Sequence, residues 1–312
     1  MNASVPATDT IPPSRRRGLL LAGLGAIGFS GKAIIVKLAY RYGVDAVTLI
    51  MYRMLFALPL FLLLAWWAGR GKPALEWRDV RTVLGLGFCG YYLSSFLDFA
   101  GLRYISASLE RLILYLNPTL VLGLGAFLFR KKVTRSQIAA LALSYCGVLC
   151  VFGREMSLTG ADVPLGATLV FASAVSYAVY LAYSGEEVKR LGALRLTGLA
   201  TTVACIICIA QFLVLRPLSA MAVPCPVLWL SVLNATLCTF APVLMVMMAI
   251  ERIGASLTAQ TGSIGPLSTI LMAVVLLGER FTAWVAVGTI LVLAGIWLLA
   301  RTQPGAAAQR TA

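Results

Sequence analysis

Apolar residues in this chain come in long unbroken blocks, not in the alternation of half-buried strands or the stripes of soluble helices. Ten blocks stand out: 18–40, 46–68, 82–102, 106–129, 134–152, 164–184, 195–215, 226–249, 254–277 and 282–301. Each is close to or above the roughly 20 residues that a helix needs to cross the hydrocarbon of a bilayer. A spanning segment must satisfy its own backbone groups, so blocks of this length predict helices. A membrane β-barrel would give short alternating segments instead. The pattern therefore predicts an all-α polytopic membrane protein with ten transmembrane helices. Polar tails flank it at 1–17 and 302–312.

The blocks repeat. The segment YISASLERLILYLNPTL at 104–120 and the segment RIGASLTAQTGSIGPLS at 252–268 align at an offset of 148 residues. The same offset carries Ala107, Ser108 and Leu109 onto Ala255, Ser256 and Leu257, Pro118 onto Pro266, Thr134 onto Thr282, and Gly147 onto Gly295. The two units are 18–152 and 164–301, with five predicted spans each. Five is odd, so the second unit enters the membrane upside down relative to the first. An inverted repeat of this kind is a transporter signature.

Composition agrees. The 312 residues are 60% hydrophobic and only 12% charged, with a mean hydropathy of +0.90. A soluble domain cannot cover that much apolar surface. The net charge of +14 lies in short stretches between the blocks, so we read it as loop charge and not as a nucleic-acid footprint. Seventeen Lys and Arg fall on the side of the two tails and six on the other. The positive-inside rule then predicts that both termini are cytoplasmic, in a bacterial-type inner membrane. The tail 1–17 lacks the layout of a removable signal peptide. The chain has no histidine, which excludes His-based metal sites, nucleophile pairs and proton relays. Its seven cysteines lie mostly inside apolar blocks. Cys205 and Cys208 form a C-x-x-C without a redox context, so they read as packing residues and no disulfide is expected.

These features resemble the EamA family of the drug/metabolite transporter superfamily. The resemblance rests on ten spans in two five-helix units, a proline in the fourth helix of each, and the junction Gly278-Glu279-Arg280-Phe281-Thr282 before the last helix. Arg53 in YRMLFALPL matches an arginine often found in the family's second helix. The likeness covers about 18–301. It implies a ten-helix bundle around a central cavity that moves small metabolites, often outward. One departure stands out: the first unit reads Arg130-Lys131-Lys132 where the junction glutamate often stands.

Candidate chemistry lies where charge meets lipid. Lys32, Arg53, Asp98, Glu110 and Arg111 all fall inside predicted spans of the first unit. Each costs about 2.5 kcal/mol or more at the bilayer centre unless it is paired or lines a wet cavity. The alternating helix directions place all five in the outer half. A structural reading pairs Arg53 with Asp98 or Lys32 with Glu110. A functional reading has Lys32, Asp98, Glu110 and Arg111 bind substrate. For Arg111 the alternative is a side chain reaching to the outer interface. Ser256, Gln260 and Ser263 share a stripe, and Asn234 and Thr236 add neutral polar atoms. These are expected to supply substrate hydrogen bonds. Pro118 and Pro266 each free the carbonyl four residues earlier, at Leu114 and Gly262, and are candidate hinges. Arg53, Pro118, Pro266 and Glu279 are assigned structural or gating roles.

No nucleotide motif is present, so any driving force is a gradient. The expected function is a secondary transporter, most simply an exporter, of small metabolites such as amino acids or other carboxylate-bearing compounds. Asp98 and Glu110 are the candidates for carrying a coupling proton. A membrane-embedded transferase and a channel are the competing classes. No cofactor, metal or nucleic-acid partner is expected. The partners are a small-molecule substrate and the lipid bilayer.

Overall fold

The computed structural model describes residues 13–129, 133–159, 161–262 and 264–301, and all the regular structure among them is helical. The elements are α1 (Pro13–Tyr40), α2 (Ala46–Gly69), α3 (Trp77–Leu102), α4 (Ala107–Leu114), α5 (Asn117–Phe129), α6 (Arg135–Thr159), α7 (Val163–Leu191), α8 (Ala193–Leu215), α9 (225–262), α10 (Ile264–Leu277) and α11 (Ala283–Arg301). Eight segments are long and apolar enough to cross a membrane, with mean hydropathies of 1.3 to 2.3.

The block at 106–129 departs from the single kinked span expected. It is cut into α4 and α5 by a turn at Tyr115–Leu116, with Pro118 in the first turn of α5. Proline suits a helix start, because the N–H it lacks is one that a first turn leaves unpaired. The block at 254–277 is helical up to Gly262 and from Ile264 onward, and Ser263 lies outside the described residues. Pro118 thus stands at a helix start where the sequence alone suggested a mid-helix kink. The expected loop near 250–253 is helical too. Contacts with α1 locate the reversal of the chain: Gly18 lies against Ile253, Gly25 against Val246 and Gly31 against Cys238, whereas Gly23 lies against Thr261. The chain runs antiparallel to α1 up to Ile253 and parallel to it from Thr261.

The interior is built from small residues. A Cβ on Gly147 would fall 2.6 Å from the Gly288 carbonyl, and one on Gly295 would fall 2.8 Å from the Ala140 carbonyl. Such contacts let helix backbones close up where water does not drive them together. Other large apolar side chains point outward: Phe127 is 85% exposed and Val214 82%. All six tryptophans are exposed and lie near helix ends, the places where an aromatic belt meets the membrane interface. Cys205 and Cys208 are buried in the core, with the Cys205 Sγ 3.7 Å from the Met54 sulfur.

The 148-residue offset also organises the contacts. Gly18 touches Ile253, and their images, Gly166 and Ile105, touch as well. Gly147 meets Gly288, and the images meet at Gly295 and Ala140. The helices α6 and α11, images of each other, run antiparallel. Both α3 and α9 carry a π-helical turn at matching positions, Gly87–Leu93 and Thr236–Phe240. Between α1 and α2, Asp45 caps α2 by accepting from the Val47 and Thr48 amides at 2.9 and 3.2 Å and from the Thr48 hydroxyl at 2.6 Å. Partial burial pushes the Asp45 carboxyl up. The Thr48 and Val47 hydrogen bonds and the nearby Arg216 guanidinium outweigh it and hold the group below the usual carboxylate range.

Candidate functional site

Three of the intramembrane charges meet. The Lys32 ammonium on α1 donates to Asp98 Oδ2 on α3 at 2.5 Å and stands 3.4 Å from Glu110 Oε1 on α4. Asp98 and Glu110 are 2% and 0% exposed. Neither oxygen of Glu110, nor the second oxygen of Asp98, meets a hydrogen-bond donor among the described residues. The lysine bridges two carboxylates, and the pairing expected for Lys32 is shared between them.

Arg53 stands apart from this trio. Its Nε donates to the Thr239 hydroxyl at 3.2 Å, and its guanidinium sits 5.2 Å from the Phe99 ring. No ion pair joins it to Asp98 among the described residues. Thr239 in turn donates to the Asn234 carbonyl at 2.8 Å. Asn234 is buried, and its Oδ1 meets no donor among the described residues. The Thr236 hydroxyl bonds back to the Val232 carbonyl at 2.8 Å.

Arg111 turns toward α1, where it meets Ser30. Neighbouring helix positions diverge by about 100°, so Glu110 faces Lys32 while Arg111 faces α1 and α10. Its Nη2 donates to the Ser30 hydroxyl at 3.2 Å, and its guanidinium lies 5.3 Å from the Tyr115 ring. Tyr115 donates to the Gly262 carbonyl at 2.8 Å. That is the carbonyl that Pro266 was expected to free, so the turn after α4 is tied to the segment that carries Pro266. The side chains of Ser256 and Gln260, and Ser263 as a whole, lie outside the described residues.

Glu279 has a defined place. Gly278 takes a left-handed conformation, φ 72°, that a residue with a Cβ adopts with strain. This turns the chain so that the Glu279 carboxylate reaches the start of α4. It accepts from the Ala107 amide at 2.8 Å, the Ser108 amide at 3.3 Å and the Ser108 hydroxyl at 2.7 Å. Glu155 at the end of α6 accepts from the Ser106 amide and hydroxyl at 2.5 and 2.6 Å. Two carboxylates thus hold the N-terminus of α4, where helix amides and the helix dipole favour negative charge. Sequence reasoning missed Glu155, Ser30, Tyr115 and Thr239. Glu155 was readable as a second acid at the end of an apolar block. The others are neutral residues of common types.

A second polar cluster lies between α3, α7 and α8. Tyr91 and Tyr180 hydroxyls are 3.2 Å apart, and the Tyr177 and Tyr180 rings stack at 5.5 Å. The 148-residue offset carries Lys32 onto Tyr180, Arg53 onto Thr201 and Tyr91 onto Thr239. Lys32 and Arg53 therefore have neutral hydroxyl-bearing images in the second unit.

Residues 16–153 and 164–301 each match the EamA-like transporter family. Both edges of the second match follow those of the first by 148 residues, the offset of the repeat. The chain is 30% identical over 270 residues to Uncharacterized transporter YcbK of Bacillus subtilis (strain 168), covering 84% of this chain and 86% of that one. An Uncharacterized transporter of Archaeoglobus fulgidus is 24% identical over 295 residues, covering 91% and 97%. A solved structure, titled only as the crystal structure of a protein, superposes with a TM-score of 0.62 at 17% identity, over 94% of this chain and 98% of that one; it speaks for the fold alone. Two matched repeats spanning nearly the whole chain, and a relative sharing almost a third of its residues end to end, make this protein a member of the EamA-like transporter family.

Proposed function

We propose that the protein is a secondary transporter that exports small carboxylate-bearing metabolites across a bacterial-type inner membrane by alternating access. In this reading ten spans form two inverted five-span units, with both termini cytoplasmic. The eight long helices supply eight spans. The proline-divided segments α4–α5 and the return stretch through α10 supply the other two. Antiparallel packing of α6 against its image α11 supports the inversion, because a two-fold axis relating antiparallel helices lies across them and thus in the membrane plane.

The observation that carries the reading is the trio Lys32, Asp98 and Glu110. Three helices contribute to it, and it is buried in a segment that lipid surrounds. One ammonium cannot neutralise two carboxylates. The second carboxylate needs a proton or another cation in a medium where a bare charge is costly. That leaves one exchangeable positive charge, the requirement for coupling cargo to a proton gradient.

Reconstituted protein tests this. Efflux of a carried compound from proteoliposomes should saturate with concentration and speed up when a pH gradient is imposed. Glu110→Gln should retain insertion and lose the response to the gradient. Flux that rises linearly with concentration would argue for a channel. Product formed from a lipid or metabolite by purified protein would argue for an enzyme.

A further inference from the structure

Among the described intramembrane cations, Lys32 is held by two carboxylates and Arg53 is sealed behind Thr239 and Phe99. Arg111, like Arg53, meets one hydroxyl and one ring, but its guanidinium also borders a cavity. No carboxylate lies in ion-pair range of its guanidinium among the described residues. Its Nε is buried and meets no acceptor there either. Its other contacts, the Ser30 hydroxyl and the Tyr115 ring, are neutral, and Glu110, the carboxylate next to it in sequence, turns to Lys32 instead. An isolated guanidinium in this setting lacks an anion.

The guanidinium borders a cavity of about 260 Å³. Ala22, Ala26 and Phe29 of α1 and Val246, Ile250 and Thr258 of α9 line it. Ala22 and Ala26 belong to the half of α1 that follows the tail, the half assigned to the cytoplasm above, and Phe29 stands at the middle of the span. The backbone is shaped around the charge. A Cβ on Gly265 would fall 2.5 Å from the Tyr115 hydroxyl and 3.0 Å from Arg111 Nη2. Ser30 Oγ lies 2.8 Å from the carbonyls of both Ala26 and Gly265, which fixes the serine that holds Nη2.

We propose that Arg111 binds the anionic group of the cargo, and that the cargo is a compound with a single carboxylate on an apolar body. The planar guanidinium fork matches a carboxylate in two-point geometry. The alanine, valine, isoleucine and phenylalanine walls suit an apolar body and would strand the hydroxyls of a sugar without partners. The site is one-sided. The 148-residue offset carries Arg111 onto Ala259, Asp98 onto Val246 and Glu110 onto Thr258. A cation therefore faces one approach to the bundle centre, and two carboxylates with Lys32 face the other. Cargo loaded as an anion from the cytoplasm and released beyond the carboxylates follows from that polarity. This inference rests on the transporter reading.

The test uses the full chain in detergent, with matched probes: benzoate, benzyl alcohol and benzylamine, and hexanoate, hexanol and hexylamine. Binding is read from the shift of the thermal unfolding midpoint with ligand concentration. The carboxylates should stabilise the wild-type protein saturably, and the matched alcohols and amines should not. Arg111→Gln should weaken carboxylate binding about 10- to 100-fold, and Arg111→Lys should restore part of it. Gly265→Ala, which crowds the guanidinium without removing it, should weaken the same probes. A monodisperse elution profile for each variant separates lost binding from lost folding. Equal binding of alcohols or amines, undiminished carboxylate binding by Arg111→Gln, or no carboxylate binding by the wild type would overturn the proposal. Failure of the transporter reading looks different. The carboxylates would bind through Arg111, and none of them would cross proteoliposome membranes.

Discussion

Lys32 stands 2.5 Å from Asp98 and 3.4 Å from Glu110, and the distances distinguish a fastening role from a working one. If the lysine only neutralises buried acid, removing it strands charge, and removing a carboxylate together with it relieves the problem. If the trio exchanges a proton, each group is needed in turn. Lys32→Ala and Glu110→Gln should therefore each abolish transport with the protein still inserted, and the double variant should be as inactive as either single one. A double-mutant cycle on flux decides this; recovered transport in the double variant would leave a structural salt bridge. These charges were legible in the sequence because a lysine or an acid inside an apolar block is conspicuous at any helix rotation. Their partners were not. Which of Asp98 and Glu110 meets Lys32 depends on the tilt and rotation of three helices, and side-chain spacing along one helix carries no information on that. Ser30, Tyr115 and Thr239 were illegible for a simpler reason: such residues occur throughout the spans with their hydroxyls returned to their own backbone, as in Thr236.

At the level of elements, α4 is tied at one end and broken at the other. Glu155 holds Ser106, the cap residue, Glu279 holds Ala107 and Ser108, and the chain turns at Tyr115–Leu116 after eight helical residues. The sequence announced the break through Pro118 but not its form, since a proline permits both a bent helix and two helices end to end. The image of this arrangement is the stretch that leads into α10. There the offset sets Lys131, which lies outside the described residues, in the place of Glu279. A lysine cannot accept from helix amides. The clamp is therefore one-sided, and it favours closure of the bundle at the Ser106 end. Glu279→Gln keeps the size of the side chain and weakens its hold, because charge-assisted hydrogen bonds are roughly twice as strong as neutral ones. Ile105, beside the clamp, is 1% exposed. A cysteine placed there in a cysteine-free background should react slowly with a membrane-impermeant thiol reagent added from outside. Adding Glu279→Gln should speed the reaction by about tenfold, the effect of releasing roughly 1.4 kcal/mol of clamp. An unchanged rate would show that the clamp does not set which end is closed.

Across the whole molecule, one offset of 148 residues relates sequence, helix contacts and family match, and it makes a demand on topology that neither half makes alone. A repeat inserted in the same sense would put a residue and its image on the same side of the membrane. An inverted repeat puts them on opposite sides. Five spans per unit require the second arrangement, and the Lys and Arg distribution gives it a direction. The all-helical membrane fold was legible because bilayer thickness fixes block length. Eight long helices emerged as expected, whereas the block at 106–129 is divided, since block length reports apolarity and not continuity of the helix. Two pairs of exposed positions related by the offset test the arrangement: Arg41 with Lys189, and Arg70 with Leu218. Single cysteines at these four places, in a cysteine-free background, should divide evenly under an impermeant thiol reagent applied to intact cells. Arg41→Cys and Leu218→Cys should label from outside. Arg70→Cys and Lys189→Cys should label only after the membrane is opened. If Arg41 and Lys189 label from the same side, the units are parallel, and the antiparallel packing of α6 on α11 loses its meaning as a membrane two-fold. If the pairs divide but with the sides exchanged, the inversion stands and the Lys and Arg count has misassigned the cytoplasm. The cavity at Arg111 would then open outward, and the cargo would be loaded from outside instead of exported.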